Sequence, residues 1–387
     1  MITYGKQTIE LDDIEAIVEV LNGDWLTQGP KVKDFETVLK SYFGAKYSCV
    51  VSNGTAALHL ASLALDWKPG DIIITSPITF LASANCIVYA GATPDFVDID
   101  LSTYNIDINK LEERIIYYLN NGKKVKAVIG IDYAGHPCDW SELRYLADKY
   151  NFQLVNDNCH SLGAKYFNNR DYGLKYADIM TQSYHPVKHI TTGEGGSVLT
   201  NEKDIDEKIR MLRSHGMTKN PKILSKNDGP WYYEMHDIGY NYRITDLQCA
   251  MGISQLSKLD SFIEKRRKIA KLYNYEFGES DFLKSPVENK NSKHAFHLYP
   301  LLIDFKKIKK KKKSFFNHMK SKNILLQVHY IPVHLQPFYQ KNYGFKKGDF
   351  SNAEEFYKNE VSLPIYPRLL EEDQELVIGL IKKYFYE

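Results

Sequence analysis

The sequence lacks the features that mark several large classes of protein. Its five cysteines are an odd number, widely scattered and without a CxxC pair, which argues against a disulfide framework or a zinc knuckle and favours a reducing compartment. No segment approaches the roughly 18 apolar residues that cross a membrane, and the first residues lack the apolar region of a signal peptide. We therefore expect a cytoplasmic protein without a membrane partner.

An excess of charge of one sign is also missing. The 387 residues include 50 Lys and Arg against 48 Asp and Glu, a formal net charge of +2, so the balance gives no reason to expect nucleic acid as a partner. The lysine run from Lys306 to Lys313 has no interleaved aromatic residues, and we expect a solvated loop and helix start there. No GxGxxG follows a predicted strand and no GxxxxGK[ST] occurs, so dinucleotide and nucleoside triphosphate sites lack their fingerprints.

What the sequence does contain is an alternation of helices and short apolar strands. Apolar residues at Ile14, Ile17, Val18 and Leu21 predict an amphipathic helix near the N-terminus. A second helix is predicted at 55–65, and strands are predicted at 47–51, 72–75, 125–133, 153–156, 177–183 and 196–200. Strands that alternate with helices pair in parallel and place ligands beyond their carboxyl ends. We expect an α/β fold with a large domain at residues 1–252 and a smaller C-terminal α+β domain at residues 253–387.

The first motif, Ser52-Asn53-Gly54-Thr55, lies between a predicted strand and a predicted helix. Glycine lets the backbone approach a ligand, and the free N–H groups at a helix start attract an anion such as phosphate. An ordinary capped helix start, with Ser52 or Asn53 as the N-cap, explains the same residues equally well. The motif alone leaves both interpretations open.

The second motif is Asp157 at the end of a predicted strand, with His160 three residues later. A carboxylate at that position needs a positive partner, and a protonated pyridine nitrogen would be one, since holding that proton makes the ring an electron sink. The alternatives are a helix N-cap for Asp157 and a hydrogen-bonded structural histidine for His160.

The third motif is SYHPVKHITTGEGG, which begins at Ser183. Lys188 lies just after a predicted buried strand, where desolvation can remove its proton and make the amine nucleophilic toward an aldehyde. Ser183, five residues earlier, could bind a phosphate. His185 and His189 are spaced i, i+4, but Pro186 disfavours a helix and no acidic residue accompanies the pair, so we expect no metal site.

Together and in this order, the motifs resemble the sugar aminotransferases of the DegT/DnrJ/EryC1/StrS family, which are fold-type I enzymes that use pyridoxal 5′-phosphate (PLP). The likeness runs essentially end to end, through WLTQGP, SNGTAAL, the TF of Thr79-Phe80, NDNCHSLGA, SYHPVKHITTGEGG, RSHGM, GYNYRITDLQ, VHYIPVH and SLPIYP. It implies a mostly parallel sheet in the large domain. Asn156 and His189 depart from the acidic residue and the proline of many members, which affects the shape of the pocket and not a group that the chemistry requires.

The resemblance implies a role for each cofactor-binding residue. Lys188 forms the covalent link to PLP and, once freed, moves the proton between the cofactor carbon and the sugar carbon. Asp157 pairs with the pyridine nitrogen, His160 lies near the phenolic oxygen, and Phe80 stacks on the ring. The phosphate is expected to be held by Gly54, Thr55 and Ser183.

The resemblance also implies a homodimer with shared active sites, because Asn241 is expected to reach the cofactor phosphate or the substrate of the partner subunit. The residues expected to contact the nucleotide sugar are Tyr4, Asp24, Trp25, Leu26, Thr27, Gln327, Val328, His329 and Tyr330, with Gly54, Ser183 and Asn241 close to both ligands. No metal is expected among the cofactors.

The implied reaction transfers an amino group from L-glutamate to the C4 ketone of a UDP-4-keto-6-deoxy-N-acetylhexosamine, in pseudaminic acid biosynthesis. The nearest alternative is a sister aminotransferase that acts on another 4-keto or 3-keto nucleotide sugar. The dehydratases of the family carry histidine in place of the lysine, so Lys188 argues against them. A ligand-sensing regulator would carry an added DNA-binding segment, and we expect none, because the first residues lead straight into the catalytic domain.

Overall fold

Strands and helices alternate along most of the chain in the computed structural model, which describes residues 1–386. The strands are β1 (Ile2–Thr3), β2 (Tyr47–Val51), β3 (Ile72–Thr75), β4 (Thr93–Phe96), β5 (Val125–Ile131), β6 (Gln153–Asp157), β7 (Lys165–Tyr166), β8 (Ile179–Ser183), β9 (Gly196–Thr200), β10 (Met217–Thr218), β11 (Glu234–Met235), β12 (Leu283–Lys284), β13 (Ser292–Lys293), β14 (Tyr299–Ile303), β15 (Ile324–Leu325) and β16 (Glu360–Leu363). The helices are α1 (Leu11–Leu21), α2 (Pro30–Phe43), α3 (Gly54–Ala64), α4 (Leu81–Tyr89), α5 (Ile108–Asn120), α6 (Trp140–Tyr150), α7 (Tyr172–Tyr176), α8 (Lys203–Arg213), α9 (Asp246–Ser257), α10 (Leu259–Phe277), α11 (Lys312–Ser321), α12 (Pro337–Tyr343), α13 (Ser351–Asn359) and α14 (Glu371–Tyr386).

A seven-stranded sheet in the order β2-β9-β8-β6-β5-β3-β4 organises the first part of the chain. Its pairs are parallel except for those of β9, which is antiparallel to both β8 and β2. The mostly parallel α/β architecture predicted from the sequence is therefore confirmed. Strand β4 was not predicted, because Pro94 and Asp95 interrupt its apolar pattern. It lies at the edge of the sheet, where proline does not cost a ladder hydrogen bond.

Apolar side chains cover both faces of this sheet. On one face, Phe35 of α2 and Trp140 of α6 belong to a buried cluster that also contains Leu154 of β6. On the other face, Leu58 of α3 belongs to a second cluster that contains Val155. Consecutive residues of one strand enter opposite clusters because side chains alternate along a strand. With both faces covered by helices, the carboxyl ends of the parallel strands are the place for a ligand.

The predicted helix near the N-terminus forms as α1, but its apolar stripe does not enter the core. Ile14, Val18 and Leu21 are 51, 47 and 57% exposed. The face toward α9 carries Asp13 instead, whose carboxylate accepts a hydrogen bond of 2.7 Å from Gln255 Nε2. This buried polar contact orients the helix and leaves the apolar residues at the surface.

The second part of the chain forms a three-stranded antiparallel sheet, β12-β14-β16, which packs with α10, α11 and α14 around a separate apolar core. The chain's first strand joins this region, since Ile2 pairs with Ile324 of β15. The predicted boundary after residue 252 falls inside α9 and stays a prediction. The lysine run is a turn followed by the start of α11, as expected. Within residues 1–386, none of the helices is both long and apolar enough to cross a membrane.

Candidate active site

Asp157 is the last residue of β6 and is buried at the carboxyl end of the sheet. Its Oδ2 accepts a hydrogen bond of 2.6 Å from Ser83 Oγ, and its Oδ1 accepts one of 3.2 Å from the backbone N–H of Cys159. The Ser83 hydroxyl lies 2.8 Å from Thr79 Oγ1. Because the hydrogen of Ser83 goes to Asp157, Thr79 donates to Ser83. This chain of hydroxyls holds the carboxylate in one orientation.

Lys188 lies in the turn that follows β8, and its backbone N–H donates to the carbonyl of His185 at 2.9 Å. Among the described residues its Nζ has no hydrogen-bond partner. Burial lowers the pKa of Lys188, and the nearby Cys159 and Asp157 act against that shift. Burial therefore favours the neutral amine, which is the nucleophilic form.

The start of α3 faces Ser183 across a narrow gap. Asn53 is the N-cap, and its side chain accepts a hydrogen bond of 2.8 Å from the N–H of Ala56. The N–H groups of Gly54 and Thr55 have no partner among the described residues. A Cβ at position 54 would lie 2.8 Å from Ser183 Cβ, so only glycine allows the helix start to approach this closely. Two free N–H groups and a hydroxyl are thus available to an anion.

His160 is held between two partners. Its Nδ1 accepts a hydrogen bond of 3.3 Å from the N–H of Ala134, and its Nε2 lies 3.1 Å from the Tyr330 hydroxyl. Burial and the charge of Lys188 keep the pKa of His160 well below its ordinary value, so the ring is neutral. With Nδ1 as an acceptor, Nε2 carries the hydrogen and donates it to Tyr330. The hydroxyl hydrogen of Tyr330 is then available to another acceptor.

Phe80 is the N-cap residue of α4 and is 56% exposed. Its ring centroid lies 6.0 Å from that of Tyr330. An exposed aromatic ring fixed at a helix start provides a flat apolar surface on which a planar ligand can stack.

Some of the predicted substrate contacts lie next to His160 and Phe80. The ring of Tyr4 packs against His329 at a centroid distance of 4.7 Å, and Tyr330 follows in the chain. Burial lowers the pKa of His329 to about 3, so its ring is neutral. Gln327 is exposed and pairs with Ser362 of β16, and Val328, the next residue, is half-buried.

The segment Asp24–Thr27 lies elsewhere on the same chain. Thr27 forms an isolated antiparallel bridge with Thr245, and the carbonyl of Leu26 accepts a hydrogen bond of 3.0 Å from the N–H of Asp246. Trp25 is 58% exposed. No hydrogen bond, ion pair or ring contact within residues 1–386 joins this segment to the Lys188 turn.

Asn241 is also at the surface. It forms an isolated bridge with Ser214, and the next residue, Tyr242, accepts a hydrogen bond of 2.8 Å from the N–H of Ser52 through its carbonyl. The segment that contains Asn241 is thereby tied to the residues that precede α3. Its side chain is exposed and makes no hydrogen bond with a described residue.

Sequence reasoning missed the residues that support the site. Ser83 and Thr79 are spaced i, i+4 at the start of α4, yet the Thr79-Phe80 motif drew attention only to its aromatic residue. The signal was a pair of hydroxyls one helical turn apart, which can bond each other. The contact between Tyr330 and His160 joins residues 170 positions apart, and no local pattern predicts it.

The chain is similar to known aminotransferases over nearly its whole length. The sequence profile of the DegT/DnrJ/EryC1/StrS aminotransferase family matches residues 7–382. An uncharacterized protein of Methanocaldococcus jannaschii is 42% identical over 96% of this chain and 94% of its own. The UDP-4-amino-4,6-dideoxy-N-acetyl-beta-L-altrosamine transaminase of Campylobacter jejuni is 39% identical over 97% of this chain and 96% of its own. GDP-perosamine synthase of Escherichia coli O157:H7 is 33% identical over 96% and 95%.

Solved structures of aminotransferases are also similar to this chain. Helicobacter pylori PseC, an aminotransferase involved in the biosynthesis of pseudoaminic acid, superposes with a TM-score of 0.90 at 32% identity, covering 100% of this chain and 99% of that one. A sugar aminotransferase from Streptococcus pneumoniae, solved in its PLP form, superposes with a TM-score of 0.87 at 27% identity over 99% and 98%. These similarities extend over the whole chain and not only over the site.

Proposed function

The chain belongs to the DegT/DnrJ/EryC1/StrS aminotransferase family, and on that premise we propose that it transfers an amino group from L-glutamate to the C4 ketone of a UDP-4-keto-6-deoxy-N-acetylhexosamine, in pseudaminic acid biosynthesis. The protein is a PLP-dependent sugar aminotransferase. The observation that carries the choice of substrate is the similarity, over nearly the whole chain, to the Campylobacter jejuni transaminase.

The residues at the carboxyl end of the sheet fit PLP. The free N–H groups of Gly54 and Thr55 and the hydroxyl of Ser183 offer hydrogen bonds to a phosphate. The buried carboxylate of Asp157 suits a protonated pyridine nitrogen, and the unpartnered amine of Lys188 suits an aldehyde. Each of these groups meets a different demand of the same cofactor.

In the reaction, the cofactor ring supplies an electron sink for the carbon from which a proton is removed. The carboxylate of Asp157 would hold a proton on the ring nitrogen of the cofactor, and Ser83 keeps that carboxylate oriented. Lys188 Nζ takes the proton from the carbon of glutamate and later delivers one to C4 of the sugar. The exposed ring of Phe80 would stack on the cofactor ring and limit the access of water to it.

The site is completed by a second copy of the chain. Asn241 is exposed and lies in a segment tied to the start of α3, where the phosphate would bind, so its side chain is free to enter the site of a partner. The exposed apolar residues Ile14, Val18, Leu21 and Trp25 support an association that removes them from water. The homodimer has two shared sites.

Glutamate-dependent amination of a panel of 4-keto nucleotide sugars tests the choice of substrate. UDP-4-keto-6-deoxy-N-acetylhexosamines should give the highest kcat/KM, above the GDP- and dTDP-linked 4-keto-6-deoxyhexoses. A preference for the GDP sugar would favour the alternative represented by the Escherichia coli GDP-perosamine synthase, and the proposed substrate would then be wrong.

A further inference from the structure

Strand β16 carries a buried carboxylate, Glu360, beside the segment that contains the predicted substrate contact His329. Glu360 and Ser362 lie on the same side of β16, two residues apart, and both are fully buried. The Ser362 hydroxyl is 2.5 Å from Glu360 Oε1, and the backbone N–H of His329 donates to Glu360 Oε2 at 3.0 Å. Ser362 Oγ is also 2.8 Å from Nδ1 of the His329 ring. The three side chains form a hydrogen-bonded chain that leads from Glu360 to His329.

The direction of each hydrogen bond among Glu360, Ser362 and His329 follows from the hydrogens that each group can donate. A carboxylate only accepts, so the single hydrogen of Ser362 goes to Glu360. Ser362 Oγ can then only accept from His329, which requires a hydrogen on Nδ1. Burial lowers the pKa of His329 to about 3, so the ring is neutral and carries no second hydrogen. Its other nitrogen, Nε2, is therefore an acceptor.

The position of the ring shows what Nε2 can serve. His329 packs against Tyr4 at 4.7 Å and against Tyr330 at 4.9 Å between ring centroids. The Tyr330 hydroxyl in turn lies 3.1 Å from Nε2 of His160. Nε2 of His329 has no hydrogen-bond partner among the described residues. It is also not among the side-chain atoms that are fully buried without a partner, so it can be reached from outside. The acceptor is thus available to a ligand that binds beside Tyr4 and Tyr330.

We propose that Glu360 and Ser362 are positioning residues that fix His329 as a hydrogen-bond acceptor, so that the pocket selects a nucleotide sugar with a hydroxyl or amide N–H at that point. The inference rests on the proposed function for the identity of the ligand. A sugar with a carbonyl or no polar group there loses the hydrogen bond, and the buried lone pair of Nε2 is left unpaired.

The charge state of Glu360 controls the direction of the chain. Burial raises the pKa of Glu360 above its ordinary value, and it lowers the pKa of Lys312 in α11, whose positive charge opposes the shift of Glu360. The other titratable groups that sense Glu360 are Tyr104, Tyr133 and Tyr330, which stay neutral because burial raises the pKa of each. When Glu360 is ionised it accepts from Ser362, and Nε2 of His329 is an acceptor. When Glu360 is protonated it donates to Ser362, the chain reverses, and Nε2 becomes a donor.

Glu360→Gln should reverse the hydrogen bonds that link residue 360, Ser362 and His329 at every pH. The backbone N–H of His329 requires an acceptor, so the amide oxygen faces it and the amide NH₂ faces Ser362. Ser362 then accepts from the amide and donates to Nδ1, which moves the ring hydrogen to Nε2. Ser362→Ala removes the link altogether, whereas Ser362→Thr keeps the hydroxyl and should restore the wild-type behaviour.

The first measurement is the tautomer of His329 in the holoenzyme labelled with ¹⁵N-histidine, with the signal assigned by its loss in His329→Gln. At pH 8 the wild type and Ser362→Thr should carry the hydrogen on Nδ1, and Glu360→Gln should carry it on Nε2. No sugar is present, so this result does not depend on the proposed substrate. The hydrogen on Nε2 in the wild type, or on Nδ1 in Glu360→Gln, would overturn the inference.

The second measurement separates binding of the sugar nucleotide from the chemical steps of the glutamate half-reaction. KM for the sugar nucleotide should rise about tenfold in Ser362→Ala and Glu360→Gln, which is the effect of one lost hydrogen bond, while the rate of the half-reaction with glutamate is unchanged. In the wild type KM should rise as the pH falls through the raised pKa of Glu360, and in Glu360→Gln it should not change with pH. Glu354→Gln is the matched control, because Glu354 is a buried carboxylate that contacts His334 at 3.2 Å. An unchanged KM in both variants, or an equal loss in the glutamate half-reaction, would contradict the proposal.

Discussion

Replacing Ser83 by alanine tests how the carboxylate of Asp157 is held. Ser83 is 1% exposed, and its hydroxyl donates to Asp157 at 2.6 Å. A hydrogen bond to a charged group contributes about 1.5–3 kcal/mol, and its loss leaves Thr79 without an acceptor as well. Since about 1.4 kcal/mol corresponds to a factor of ten, the full loss in the transition state lowers the rate on the order of 10- to 100-fold.

The assay is a single-turnover half-reaction with L-glutamate, followed by the absorbance of the cofactor. Ser62→Ala is the matched control, because Ser62 is equally buried but donates to the backbone carbonyl of His59 within α3 at 2.7 Å. The control should keep the wild-type rate. If Ser83→Ala reacts within about threefold of the wild type, or if both variants lose the same amount, the hydroxyl chain does not serve Asp157 and the reasoning fails.

Three further predictions concern the cofactor, its neighbours and the second subunit. Gly54→Ala places a Cβ 2.8 Å from that of Ser183, so a PLP titration should show affinity reduced on the order of tenfold or more. Tyr330→Phe leaves its histidine partner without an acceptor and should slow the glutamate half-reaction about tenfold, with the melting temperature near that of the wild type. Mixing inactive Lys188→Ala subunits with inactive Asn241→Ala subunits should restore activity, because each heterodimer contains one intact site. If native mass spectrometry finds heterodimers that remain inactive, the shared site is refuted.

The fold could be predicted from the sequence wherever an apolar run is local. The strands at Tyr47–Val51, Ile72–Thr75 and Gly196–Thr200 match the predicted bounds, because each is a buried run that ends at polar or turn-forming residues. The edge strand Thr93–Phe96 could not be found in this way, because its proline and aspartate give it no strand pattern.

The site was predictable only for residues whose chemistry is visible locally. Lys188 and Asp157 could be nominated because each follows or ends a strand, where a ligand is expected. The antiparallel direction of Gly196–Thr200 and the exposure of the apolar stripe on the first helix depend on contacts made elsewhere in the chain. The link from Glu360 through Ser362 to His329 spans separate segments, and only the folded chain brings them together.

The most direct test of the central claim is to locate the cofactor on the chain. Borohydride reduction of the holoenzyme fixes PLP to its lysine, and peptide mass spectrometry then identifies that residue. The peptide that contains Lys188 should carry the modification, and Lys188→Ala should carry none and lack the visible absorption band of the bound cofactor. Modification of a different lysine, or a visible band that persists in Lys188→Ala, would contradict the assignment.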